Sequence, residues 1–462
     1  MEPPLTYTGG VLQHPPRSKP LTVETIPDDS PDQAIAPPVA TTGRQRVWGA
    51  LAAIRQDPAL DVVRNADFRL IWLGQSCTSM GMWMDQVARG WLLYQLTDSP
   101  LQLGLLQGMQ ALPIFFLSPI AGAAADRYDR KLQIMIAQVL DGLMYAVVAW
   151  LILSDLIQPW HVYATAFTGS VVSTFHQPAR AAMIADAVSP RDLTKAVALT
   201  SVTFNVSRTF GPALAGLLIA LVGTAGSYIA QSTLYVLSSA LTVPLPAALR
   251  FPSGPRMRRA GRLSLGRSIL EGWKASWHNE TVRVAIYVVT SASIFILPFT
   301  TLLPVFARDI LKVGASGQGM LLTAMGIGAF CSSVLVAFLG DRLPRGMLML
   351  CGVTLYGIMV AAFAASPWFP LSVVLMVVVG IFHVSTHTLT QIVVQAYTPA
   401  EFQGRTMAVL QQTHVIQMAG GLLIGGVAVV VGAPWAVAGM AAVGTIAAVA
   451  MFIAVPAARR IQ

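Results

Sequence analysis

From Phe68 to Val455 the chain alternates long apolar runs with short charged breaks, and the runs are close to the length, about 20 residues, that an α-helix needs to cross a bilayer. The sharpest break is GAAADRYDRK, residues 122–131. There the run Leu101 to Ala125 ends in Asp126, Arg127, Asp129, Arg130 and Lys131, and the run Leu132 to Leu153 begins at once. Read this way, the pattern predicts about twelve spans. The first six are Phe68 to Leu96, Leu101 to Ala125, Leu132 to Leu153, Trp160 to Ala187, Leu193 to Val222 and Ser227 to Leu249. A charged segment follows, and then Val284 to Leu311, Gly319 to Leu339, Met347 to Ala365, Phe369 to Tyr397, Thr406 to Val431 and Trp435 to Val455.

The predicted fold class is therefore all-α and polytopic, with a tail over 1–66, six spans in 67–249, a linker over 250–283, six spans in 284–456 and a tail over 457–462. The first tail is rich in proline and polar residues and is expected to be disordered, becoming basic from Arg44 onward. In the linker, SLGRSILEGWKASWHNE reads as an amphipathic helix that packs on the cytoplasmic face and joins the halves, with lipid contact as the alternative.

Composition supports the membrane class: 55% of residues are hydrophobic and 11% charged, against roughly 25% charged in soluble domains. The net charge of +9 is unevenly spread. With the N-terminus inside, Arg127, Arg130, Lys131, Arg180, Arg191, Lys195, Arg342, Arg345, Arg405 and the arginines of the linker all fall in the cytoplasm, and the opposite loops keep little beyond Arg308 and Lys312. That is the positive-inside pattern, with both termini cytoplasmic and the cell membrane as location, rather than a nucleic-acid footprint. Cys77, Cys331 and Cys351 lie in apolar surroundings without paired spacing, so neither a disulfide framework nor a metal site is expected. No phosphate-binding loop or catalytic insert is present, and no cofactor is implied; the chain does not read as an enzyme.

The two halves repeat. A shift of 215 places Gly104 on Gly319 and Asp126-Arg127 on Asp341-Arg342; a shift of 209 places Gly211 on Gly420 and Gly216 on Gly425. Paired six-span repeats form two pseudo-symmetric bundles in alternating-access proteins. At these residues the chain resembles the major facilitator superfamily. Gly122, Asp126, Arg127, Arg130 and Lys131 match its loop pattern G-x-x-x-D-[RK]-x-G-[RK]-[RK], with Asp129 in place of the glycine. SRTFGPALAG is similar to the superfamily's antiporter motif at Gly211, Pro212 and Gly216, with Ser207 and Ala215 replacing two glycines. FHQPARAAMIADAV, SPRDLTKAVAL and NVSRTFGPALAG resemble the branch that contains the bacterial enterobactin exporter.

Polar residues inside spans mark candidate chemistry, because an ionisable group at mid-bilayer costs about 2.5–3.5 kcal/mol on insertion scales. Asp85 and Arg89 share a helix face, as a proton site or as a structural pair near the outer boundary with Arg89 reaching outward. His176, Asn205, Arg208, His383, His387, Gln391, His414 and Gln417 extend the set, and Met80, Met82, Trp83 and Phe204 are candidate apolar walls. His383 and His387 have helical spacing for a metal pair but lack an evident third ligand, so a cavity role or plain hydrogen bonding is weighed beside it. Asp141 is expected to find a partner in a neighbouring helix. Gly122, Asp126, Arg127, Arg130, Lys131, Asp341 and Arg342 are candidates for a conformational latch, with topology anchoring as the plainer reading. Gly211-Pro212 fits either a kink or a part in coupling.

The resemblance implies a monomeric secondary transporter that exports an amphipathic organic solute, siderophore or drug-like, against protons. Its partners are then a small molecule, protons and the bilayer. Uptake of an organic anion drawn by Arg208 and Arg89, or a receptor or scaffold on a transporter fold, are the alternatives. The charge segregation generates a topology prediction: single-cysteine labelling places positions 130, 258 and 345 inside and position 98 outside, and labelling of position 258 from the external medium would overturn it.

Overall fold

The computed structural model describes residues 61–246, 279–339, 345–399 and 402–455, together with Lys274 and Trp277. The remainder of the expected linker, Asp341, Arg342, residues 1–60 of the first tail and the whole second tail lie outside the described residues, as do the side chains of Asp126, Arg345, Arg405 and His414.

The described residues form helices without strands. After one turn at Asp61–Arg64, the first bundle holds α1 (Ala66–Thr97), α2 (Pro100–Arg127), α3 (Arg130–Leu153), α4 (Pro159–Ala187), and α5 and α6, which divide the continuous stretch Leu193–Thr242. The second holds α7 (Glu280–Ile310), α8 (Gly314–Leu339), α9 (Arg345–Ala365), α10 (Phe369–Tyr397), α11 (Gln403–Gln411 and Thr413–Val431) and α12 (Ala433–Ala454). The expected loop between spans five and six shrinks to one residue. Gly223 reverses the chain at φ 76°, a conformation that glycine adopts without Cβ strain. Helix α7 departs most from regularity: Pro298 and Pro304 each lack a backbone donor, and the segment passes through π and 3₁₀ turns.

Large apolar side chains cover the outside, among them Phe115, Leu217, Leu221, Val430 and Ile446. In water such a surface would aggregate, and in lipid it is the solvated face. Helices α1 and α4 are less apolar than the eight stretches that qualify as spans by hydropathy alone, because they carry polar residues that the bundles enclose.

The internal repeat is realised as contacts. Asn65 caps α1, accepting from the backbone of Asp67, and its amide donates to the Ala187 carbonyl at 2.7 Å. Asn279 caps α7 in the same way and donates to the Tyr397 carbonyl at 2.8 Å. Each half thus ties the start of its first helix to the end of its fourth.

Between the bundles, α2 lies on α11 and α5 on α8. A Cβ on Gly104 would sit 3.2 Å from Cα of Gly425, and one on Gly216 would sit 3.2 Å from Cα of Gly319. The four glycines paired by the repeat therefore make the two crossings, where only backbone fits. Both crossings lie toward the face that bears Asp98, and the close inter-bundle glycine approaches end at Gly326 against Thr209. Toward the opposite face, which bears Asp129, α4 packs on α1, α2 and α3 and α10 on α7, α8 and α9, and neither builds an interface with the other bundle among the described residues. Among the described residues, the bundles meet closely toward the Asp98 face, and no comparable interface joins them toward the Asp129 face.

A side chain at either crossing would act on this closed arrangement alone. Gly104→Leu is expected to cost it about 1–3 kcal/mol by overpacking and to shift the balance of states roughly tenfold. A cysteine at Gln107, which packs against Gly421, should then label faster from the Asp98 side. An unchanged labelling rate would show that the glycine crossing does not set closure.

Candidate functional site

The most enclosed charges lie inside the first bundle. Arg89 grips Asp85 one turn away through Nη2 to Oδ2 at 2.7 Å and Nε to Oδ1 at 3.2 Å. The expectation that Arg89 could reach outward is corrected, since its side chain is 6% exposed. The reason is enclosure by three tyrosines: Tyr228 lies beside Arg89, and the Tyr145 ring lies 6.0 Å from Tyr228 and 5.3 Å from Tyr235. Asp141 of α3 is buried near enough to feel both charges of the pair. Its helix is tied in place by Gln138, which donates to Ser238 at 2.7 Å, and by Ser238, which donates to the Gly74 carbonyl at 2.8 Å. Asp85 is bonded to the arginine, and Asp141 is a second buried acid in its neighbourhood. Asp141 was legible as a buried acid in the sequence, but its meeting with Asp85 was not, because the two are on different helices.

Other candidates lie on α1, α4, α5, α10 and α11. Arg208 of α5 is partly exposed, and its buried Nε has no partner among the described residues. Asn205 donates to the Ser201 carbonyl at 2.9 Å. Trp83 and Phe204 meet edge to face, 5.6 Å between ring centres. Gly211 makes that approach possible, because a Cβ there would lie 2.7 Å from Cβ of Trp83. Its repeat partner Gly420 lies equally close to α7, at Ile294 and Pro298. Pro212 sits within the helix. His176 is buried with Nε2 unpartnered. His383 lies against Tyr356 of α9 at 5.5 Å, with His387 and Gln391 farther along α10 and Gln417 on α11. Among the described residues no three metal-ligating side chains come together.

At the Asp129 face, Arg130 pairs with Asp186 of α4 and donates to the Ala125 carbonyl at 3.3 Å. Lys131 donates to the carbonyls of Val243 and Leu245 at 2.8 and 2.6 Å, where a helix C-terminus offers partial negative charge. Asp129 caps α3 at the Leu132 amide, 3.1 Å. Arg127 and Gly122 are exposed, and a Cβ on Gly122 would meet nothing within 4 Å. Nearby, the hydroxyl of Ser189 and then the ammonium of Lys195 hold the exposed Asp192 carboxyl below the usual carboxylate range.

At the Asp98 face the two sparse basic residues find a structural reason. Arg308 of α7 pairs with Asp98, lies 5.3 Å over the Tyr94 ring and donates to the Tyr94 carbonyl at 3.3 Å. The Tyr94 hydroxyl donates to Asp309. Arg308, Lys312, Trp91, Gln95 and Gly314 bound a cavity of about 460 Å³.

A model of a family described as transmembrane secretion effector matches residues 58–460. The uncharacterized MFS-type transporter YfiS of Bacillus subtilis (strain 168) is 28% identical over 76% of this chain and 84% of its own. The multidrug efflux pump Tap of Mycobacterium tuberculosis (strain ATCC 25618 / H37Rv) is 25% identical over 74% and 81%, and the staphyloferrin A transporter of Staphylococcus aureus (strain NCTC 8325 / PS 47) 25% over 56% and 63%. The fold is shared with a bacterial homologue of the human lysosomal transporter Spinster, inward-facing and unoccupied (TM-score 0.63, 14% identity, 87% of this chain and 97% of that one). It is shared as well with the nucleoside transporter NupG (TM-score 0.64, 13% identity, 84% and 98%).

Breaking a buried ion pair from one side strands a charge and costs about 3–5 kcal/mol, whereas replacing both partners avoids most of that loss. Arg89→Ala is therefore expected to lower the unfolding midpoint of the purified protein sharply, and Asp85→Asn with Arg89→Gln to recover most of it. Equal stability of Arg89→Ala and the parent would show that the pair does not hold the bundle.

Proposed function

The chain belongs to the transmembrane secretion effector family of the major facilitator superfamily, and from that premise we propose that this multi-pass membrane transporter is a proton-coupled exporter of amphipathic organic solutes. The Asp129 face is cytoplasmic in this reading, so the cleft opens inward. The observation that carries the reading is the pair of glycine crossings that join the bundles toward the Asp98 face. Solute enters from the cytoplasm, the bundles rock, the crossings part and release follows outside. The relatives named as a multidrug efflux pump and a staphyloferrin A transporter support an amphipathic organic load.

The Arg130–Asp186 pair and the Lys131 contacts to carbonyls after α6 gather the basic cluster onto its own bundle in this state. As a latch, the cluster exchanges these contacts for others when the cytoplasmic side closes. Asp126, Asp341 and Arg342 belong to the same proposal from sequence alone. The clasp of Asp98 and Tyr94 with Arg308 and Asp309 opposes it outside.

Coupling is placed at the cluster in the first bundle. Two acids beside one arginine leave a surplus negative charge, and a proton removes it. Asp85 exchanges protons as water reaches or leaves the pair, with Asp141 beside it. His387 and His414 are the competing carriers, since imidazole titrates near neutral pH.

Inverted membrane vesicles test this with a carboxylate siderophore, a macrolide and a cationic dye as loads. An imposed acidic lumen should drive uptake of at least one of them. Asp85→Asn should abolish gradient-driven uptake and retain downhill exchange, which needs rocking without net proton release. Undiminished gradient-driven uptake by Asp85→Asn would remove it as the carrier, and uptake driven only by the opposite gradient would reverse the direction.

A further inference from the structure

Arg89 and Arg208 lie within the spans of the first bundle, and Arg208 lacks a protein partner among the described residues. Arg89 is engaged by Asp85, and Arg180 donates to Gln177 at 2.8 Å. Arg208 has a buried Nε without an acceptor, and no carboxylate acts on it. A cation at this depth costs about 2.5–3.5 kcal/mol on insertion scales, and nothing described in the chain offsets that cost.

Its direction follows from helix geometry. Along α5 the exposed apolar stripe runs through Val206, Phe210, Leu214, Leu217 and Leu221, which is the lipid face. At about 100° per residue, Arg208 stands roughly opposite that stripe, toward the cleft between the bundles. Phe204, Arg208 and Gly211 share one face, spaced four and three residues apart. Both neighbours of Arg208 on that face touch Trp83 of α1: Phe204 by its ring at 5.6 Å, and Gly211 by the space its missing Cβ leaves. Trp83 adds a second orphan, a buried Nε1 with no acceptor.

The corner therefore holds a partly exposed guanidinium with no partner among the described residues, beside two aromatic rings. An unmet cationic donor is costly, and the group that best meets a guanidinium is a charged acceptor. We infer that Trp83, Phe204 and Arg208 form a binding subsite for the anionic group, a carboxylate or a sulfonate, of a solute whose aromatic or apolar body lies against the rings. The inference rests on reading the cleft as the solute path and narrows the load from amphipathic solutes at large to organic anions. Asn205, whose amide is engaged by the Ser201 carbonyl, borders the subsite one residue along.

Three matched probes test it on the full chain in lipid nanodiscs: 1-pyrenebutyrate, 1-pyrenebutanol and 1-pyrenemethylammonium. Binding is read as energy transfer from tryptophan, with empty nanodiscs as the partition baseline. The anion should bind at least tenfold more tightly than the alcohol, and the ammonium more weakly than either. R208Q should bring anion and alcohol within about threefold of each other, R208K should keep part of the preference, and W83F should weaken the anion more than the alcohol. Parent protein that binds all three probes alike overturns the subsite without any variant, and so does R208Q that keeps the full anion preference. The vesicle assay separates this from the export reading. Gradient-driven uptake with no charge preference removes the subsite and leaves export, whereas anion preference without gradient-driven uptake removes export and leaves the subsite.

Discussion

Backbone touches backbone at two places between the bundles, Gly104 on Gly425 and Gly216 on Gly319, and the rest of the arrangement depends on that closeness. In a bilayer the hydrophobic effect does not press helices together, because lipid is as apolar as leucine; close packing of small residues supplies the attraction. It is short-ranged, so a gap of one methyl group weakens it steeply. Such contacts hold one face shut and can still part, since the glycine surfaces themselves bury no charge or hydrogen bond that must be replaced. Directional bonds appear at the rim, where Arg308, Asp98, Tyr94 and Asp309 join the first helices of the two halves.

The polar chemistry is divided between two environments. Inside the first bundle, Asp85, Arg89 and Asp141 are packed among Tyr145, Tyr228 and Tyr235, and their charges are met largely by one another. In the cleft, Arg208 and Trp83 retain unmet donors. The first environment suits an ion as small as a proton, which needs no open space. The second suits a solute. Under the proposed mechanism α1 links them, because Trp83 and Asp85 are two residues apart on the same helix, and a shift of α1 that admits or expels solute moves the acid as well.

Much of this was legible in the sequence. Length and apolarity of the runs defined the spans, since a bilayer admits few alternatives to a helix that satisfies its own backbone. The repeat at offsets of 215 and 209 named the four glycines in advance, because each half must meet the other with equivalent surfaces. The basic string at Arg130 and Lys131 marked one loop, since cations gather where helix carbonyls end. The capping asparagines Asn65 and Asn279, 214 residues apart in the sequence, carried the same signal of repetition and were passed over.

Tertiary structure alone decided the partners. Spacing shows that Asp85 and Arg89 share a face, but not which way that face points; burial among tyrosines from α3 and α6 turns it inward. Asp141 comes near the pair only through the fold, because α3 packs on α4 and on the α5–α6 stretch that flanks α1. The sequence marked Arg308 and Lys312 merely as exceptions to a charge rule, whereas in the fold Arg308 holds the rim of the Asp98 face. Arg208, Asn205 and Phe204 read as polar and aromatic positions of one span, and only the packing of Gly211 against Trp83 sets two of them beside an unpartnered donor. Local pattern determines which segments become helices, through lengths and hydrogen bonds that each segment satisfies by itself. Which side chains meet, and which are left unmet, depends on contacts between segments far apart in the chain.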